Sequence, residues 1–128
     1  MTAQQLLDHV MGLLGQPAEN GTDYTNIYFS NLNAILGQTF KLENNNRQAL
    51  GLTLLTTIPT VTSLSQELTY QPNVLLNVVG YGVAQKFAIF DEDDFNIGYN
   101  SQQYVDGLTT ENKGIQQPIL DYYSSEEL

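Results

Sequence analysis

Between Pro72 and Phe90 the chain carries a helical pattern that is apolar on more than one side. Val74, Leu75, Val78, Val79, Val83, Ala84, Phe87, Ala88 and Phe90 together cover more than one helical face. A surface helix hides one stripe and wets the rest, so apolar coverage this broad marks the central helix of a bundle. Pro72 suits the first turn of that helix, where its missing N–H has no partner to lose. Gly80 and Gly82 weaken the helix intrinsically, and their missing side chains let a neighbouring helix approach closely.

The rest of the chain is read around this element. Thr2 followed three residues later by Gln5 fits a capping box. Leu6, Leu7, Val10, Met11 and Leu14 then recur at helical spacing, and Gly15 with Pro17 ends the run, which predicts a helix over 3–14. Ala18–Gly21 reads as a turn. A second helix is expected to open at Thr22 or Asp23, with Tyr24, Ile27, Tyr28, Leu32, Ile35 and Leu36 as its stripe and Gly37 as its stop.

Residues 38–71 read differently. Asn44-Asn45-Asn46 is a loop by composition, and the Thr-rich run from Leu50 to Leu64, interrupted by Pro59, points to strand-like pieces or a small hairpin. Asp91–Asp94 ends the central helix and supplies acids for the start of another, with Ile97, Tyr104 and Leu108 on its inner face and Phe95, Tyr99 and Gly107 nearby. Beyond Leu108 the periodicity stops. The expected architecture is mainly α: a bundle of about four helices over 1–108, an irregular β-like or loop insertion at about 38–71, and an extended C-terminal tail over 109–128.

Composition narrows what such a bundle can do. Four Lys and Arg against fourteen Asp and Glu give 128 residues a formal charge of −10. A field of that sign repels phosphate backbones and anionic membranes and can complement a basic protein partner. The chain has no cysteine, which removes disulfides, thiolate metal sites and a Cys nucleophile. No signal-peptide pattern opens the chain and no unbroken apolar run approaches the length of a membrane span, so a cytoplasmic site of synthesis is expected.

Motifs with chemistry are few. Counted as a calcium loop from Asp91, the sixth position is Asn96 rather than Gly and the twelfth is Gln102 rather than Glu. A solvated helix cap is the stronger reading. His9, the single histidine, lies beside Asp8 next to the stripe of the first helix, with no nucleophile or orienting group in view, and reads as structural. Gly80-Tyr81-Gly82 begins like a dinucleotide fingerprint but sits inside a helix with no third glycine. No catalytic, cofactor or metal site is expected, so the chain reads as a protein that binds other proteins. Ile119, Leu120, Asp121, Tyr122 and Tyr123 form an apolar and aromatic cluster near the C-terminus. Such a cluster either folds back on its own core or inserts into a partner.

From Glu67 to about residue 123 the sequence resembles the small head–tail connector (adaptor) proteins of tailed bacteriophages. The likeness rests on Leu68-Thr69-Tyr70, on the helix through Gly80-Tyr81-Gly82-Val83-Ala84, and on Tyr104-Val105-Asp106-Gly107-Leu108 after an acidic break. It also rests on Ile119-Leu120-Asp121-Tyr122-Tyr123, which stands out of register in the place of that family's C-terminal Ile-x-Asp-x-Tyr segment. The first two helices agree in type and order, and 44–66 matches least. The resemblance implies a virion protein at the capsid vertex, a homo-oligomeric ring of commonly twelve copies docked on the portal protein. DNA would pass through its channel without specific binding. It implies Ile119–Tyr123 as the portal anchor and the middle segment, with Leu54, Ile58, Val61 and Leu64, as the contact with neighbours or the next ring. A small acidic monomeric module that inhibits a host protein is the alternative reading.

Overall fold

The computed structural model describes residues 1–112. Among the described residues, five helices make up the bundle: α1 (Ala3–Leu13), α2 (Thr25–Gln38), α3 (Phe40–Ala49), α4 (Pro72–Phe90) and α5 (Asp94–Thr110), with a 3₁₀ turn over Ala18–Tyr24 leading into α2. The expected mainly helical bundle stands, with one helix more than the sequence suggested.

Each helix end has a local cause. At α1 the capping box forms as read: Gln5 N–H donates to Thr2 Oγ1 at 3.2 Å and Thr2 N–H donates to Gln5 Oε1 at 2.9 Å. Gly15, at φ 71°, then closes a Schellman motif, with Gln16 N–H donating to the Met11 carbonyl and Gly15 N–H to Gly12. Gly51 repeats this geometry after α3 at φ 74°. After α4 the same motif forms around Glu92, a non-glycine residue at φ 56°, with Asp93 N–H donating to the Ala88 carbonyl. A side chain held in the left-handed region costs about 1–2 kcal/mol. Glu92→Gly is therefore expected to raise stability by about 0.5–1 kcal/mol once glycine's larger unfolded-state entropy is subtracted. A higher urea midpoint at constant m value would register it.

α4 takes the central place that its broad apolar surface demanded. Val74, Leu75, Val78, Val79, Val83, Ala84, Phe87 and Ala88 are buried, and the helix touches α1, α2, α5 and the 3₁₀ turn. Leu75–Val79 within it winds as a π-helix. Both glycines serve close approach. A Cβ on Gly82 would stand 2.9 Å from Ile35 of α2 and Tyr104 of α5, and one on Gly80 would stand 3.1 Å from His9 of α1. Phe90, expected on the inner surface, is instead 63% exposed. Contrary to the expectation on span length, α4 is long and apolar enough to cross a bilayer by length and composition. In this bundle its apolar side chains are largely taken up by neighbouring helices.

Several element boundaries differ from those the sequence predicts. The segment at Ala18–Tyr24 is a 3₁₀ turn rather than a simple turn, and neither Thr22 nor Asp23 caps α2. Gly37 does not stop α2, which runs to Gln38 and passes through Thr39 directly into α3. Asn44–Asn46, expected as a loop, are helical residues of α3. α5 runs through Leu108 to Thr110, and Glu111 and Asn112 are tied to the bundle. Asn46 Nδ2 donates to the Glu111 carbonyl at 2.5 Å, and Asn73 Nδ2 donates to Glu111 Oε1 at 3.2 Å.

The middle segment keeps its expected irregular character over residues 50–71 but forms no hairpin. Among the described residues there is no strand, only an isolated antiparallel bridge between Thr2 and Glu67. Residues 50–71 instead form an irregular strap laid over α3, α2 and the start of α1. Several of its backbone groups, which a hairpin would have paired with one another, are met by side chains. Asn44 donates to the Leu55 carbonyl at 2.9 Å and accepts from Leu55 N–H at 2.8 Å. Asn33 does the same for Val61, at 3.0 and 2.7 Å. Ala3 and Gln4 N–H, free donors of the first turn of α1, reach the Gln66 and Leu64 carbonyls.

Buried tyrosines link the layers. Tyr28 donates to the Ala3 carbonyl at 2.6 Å, Tyr70 to the Leu36 carbonyl and Tyr24 to Asp91. Burial pushes the hydroxyls of Tyr24, Tyr28, Tyr70 and Tyr104 above the ordinary tyrosine value of 10.0, and at Tyr24 the bond to Asp91 adds to this. A folded-state pKa raised above the unfolded one means the unfolded chain loses protons first as pH rises. Stability from these groups is full below about pH 10 and declines progressively above it. Urea midpoints across this range are expected to fall, and less steeply in Tyr28→Phe, which has no proton to lose there.

Candidate interaction surfaces

The described residues offer little to chemistry and more to contact. They include no group of three His, Cys, Asp or Glu side chains able to hold a metal. Of the acidic run, Asp93 caps α5 by accepting from Asn96 N–H at 3.3 Å, and Asp91 accepts from Tyr24. These are the roles of a helix cap and a tertiary tie. His9 is half-buried beside Gly80, with Nε2 lacking a hydrogen-bond partner. A cavity of about 310 Å³ lies between α2, α3 and the end of α5, lined by Gln38, Lys41, Leu42, Asn45, Leu108 and Asn112. Its titratable lining group is Lys41. No carboxylate, imidazole or hydroxyl nucleophile faces that lysine from the lining.

Exposed apolar side chains gather on two surfaces. The strap presents Leu50, Leu52, Leu54 and Ile58, each about half exposed. The strap's inward positions are filled by other side chains: Leu55 is half-buried and Val61 is 1% exposed. Of the four middle-segment residues read as contacts, Leu54 and Ile58 are therefore presented. Val61 is a core residue, and Leu64 packs partly against that core.

The second surface overturns an expectation, since Phe95 and Tyr99, expected near the inner face of α5, are instead exposed. At the end of α4 and along the outer side of α5 stand Ile89, Phe90, Phe95, Tyr99 and Val105, with Phe95 77% exposed. Phe95 and Tyr99, four residues apart on one helical face, stack with ring centroids 6.2 Å apart. Exposed Asp91, Glu92, Asp94 and Asp106 border this patch. The signal was present in the i, i+4 aromatic pair. It was masked because Ile97, Tyr104 and Leu108 already supplied α5 with an inner stripe.

A rigid frame holds the strap. Glu43, wholly buried on α3, accepts from Arg47 Nε at 2.7 Å and from Gln71 N–H. Arg47 also donates to the Thr53 carbonyl at 3.0 Å and the Thr69 carbonyl at 2.6 Å, clasping both ends of the strap. Ile119, Leu120, Asp121, Tyr122 and Tyr123 lie outside the described residues. Comparison with protein-family models, curated proteins and solved structures finds no match to this chain.

Proposed function

We propose that this chain is a structural head–tail connector (adaptor) of a tailed phage, working in the virion at the capsid vertex and not as an enzyme. In this reading copies form a ring docked on the portal protein, extend the DNA channel and offer the tail its attachment surface. The observation that carries it is the pair of exposed apolar surfaces on a small, firmly tied bundle. Monomeric proteins seldom expose apolar patches beyond a few hundred Å², so surfaces of this kind point to protein contacts. The charge of −10 adds to this, since an acidic lumen lets DNA slide without sticking.

The test is a pull-down of the tagged chain from particles or cells that naturally contain it, with bound proteins identified by mass. Recovery of a portal-like ring protein, lost on deletion of residues 113–128, would support the adaptor and place its anchor in Ile119–Tyr123. The deletion starts at 113 because Glu111 and Asn112 bond to α3 and α4.

The second reading, a small acidic binding module that inhibits a host protein, draws on the strap. Clasped by Arg47 and Asn44 onto its own α3, it completes the fold within one copy. Recovery of a single host enzyme or regulator, with no structural protein, would favour that module and sink the adaptor.

A further inference from the structure

We infer that copies of this chain join head to tail, the strap of one copy seating on the outer side of α5 of the next. The inference rests on the adaptor reading and names the two surfaces that would close its ring.

Charge selects the occupant. Residues 48–66 contain no Asp, Glu, Lys or Arg, a long neutral stretch in a chain of formal charge −10. Two copies so strongly acidic repel one another over most approaches, and a neutral surface is where a second copy comes closest at least cost. The α5 patch cannot pair with itself in the same way. Asp91, Glu92, Asp94 and Asp106 would meet their own counterparts across a two-fold axis, and like charges brought together across an interface are strongly unfavourable. Facing the uncharged strap, those carboxylates meet no like charge.

Area agrees with this pairing. A fully exposed aromatic side chain presents roughly 150–250 Å², and a large aliphatic one somewhat less. Ile89, Phe90, Phe95 and Tyr99, each about half exposed or more, therefore offer on the order of 400 Å². Leu50, Leu52, Leu54 and Ile58 offer on the order of 350 Å² before the methyl groups of the intervening threonines are added. A standard interface buries about 800 Å² per partner, somewhat over half of it apolar, so each surface matches one side of such an interface. The two surfaces are unlike and sit on different elements. Their union is heterologous, and each copy keeps one surface free for the next.

The experiment uses the full chain in size-exclusion chromatography with light scattering across a concentration series. Wild type is expected to grow past dimer as concentration rises. Leu54→Asp/Ile58→Asp loses one surface, and Phe95→Glu/Tyr99→Glu loses the other. Each alone is expected to stay monomeric. Mixed in equal amounts they are expected to form a one-to-one dimer and stop there, because one intact surface of each kind remains. Circular dichroism and urea midpoints confirm that both variants fold.

Because the chain has no native cysteine, Leu54→Cys/Phe95→Cys with a bis-maleimide offers an independent readout. A ladder beyond dimer is expected from the double variant, while either single variant, whose cysteine faces no second cysteine across the contact, is expected to stay monomeric. A monomeric wild type at every concentration, assembly by either variant alone, an inert mixture or no ladder would each overturn the pairing. Recovery of a portal protein alongside any of these would leave the adaptor standing, while self-assembly without portal capture would do the reverse.

Discussion

Arg47→Met is expected to cost about 3–5 kcal/mol, the largest loss from any single change outside the apolar core. The substitution preserves much of the stem and removes the guanidinium. Glu43 is then left as a fully buried carboxylate whose remaining partner is the Gln71 N–H, and the Thr53 and Thr69 carbonyls lose their donor. Removing one member of a buried pair is costly mainly because the other charge stays behind without compensation. Adding Glu43→Gln to Arg47→Met removes that charge and is expected to restore about 1–2 kcal/mol. Urea unfolding of the two single variants and the double variant measures the coupling. A loss below about 1 kcal/mol for Arg47→Met, the range of exposed pairs, would mean that the clasp does not hold the strap.

Gly107→Ala is expected to cost roughly 2–3 kcal/mol. A Cβ there would stand 2.6 Å from the carbonyl oxygen of Asn77, in the π-helical part of α4. Backbone cannot swing aside as a side-chain tip can, so α5 would have to lift from the helix it packs against most. Gly98, on the same helix, is the control, since nothing lies within 4 Å of its Cβ position. Gly98→Ala is expected to stabilise by about 0.5–1 kcal/mol through helix propensity. Equal effects at the two sites, read as urea midpoints, would contradict the close α4–α5 contact.

These two sites also mark the limits of reading the chain unaided. Gly82 could be recognised as a contact glycine because it interrupts a helix already marked as central. Gly107 follows Tyr104-Val105-Asp106 in a weaker pattern, and what it meets is a carbonyl 30 residues earlier in the sequence. Glu43 and Arg47 are an i, i+4 pair, which by sequence is an ordinary exposed ion pair. Their burial follows from a strap that returns over them.

α1 with its capping box, the buried breadth of α4 and the acidic start of α5 follow from local rules: periodicity, caps and turn chemistry act within a few residues and are written along the chain. α3 and the strap do not. Asn44-Asn45-Asn46 is poor helix sequence, yet Asn44 pairs with Leu55 and Asn46 reaches Glu111, so tertiary hydrogen bonds outweigh a propensity loss of a few tenths of a kcal/mol per residue. The Thr-rich segment has strand composition, yet Asn33 and Asn44 meet backbone groups at Val61 and Leu55 that a neighbouring strand would otherwise pair. The sequence by itself determined a mainly helical, acidic bundle with α4 at its centre, because those properties are sums over local pattern and charge. Only the tertiary structure decided that Val61 is core, that Leu54 and Ile58 are surface, and that Phe95 and Tyr99 form a second exposed patch. Which side of a residue faces water depends on what the distant chain lays against it.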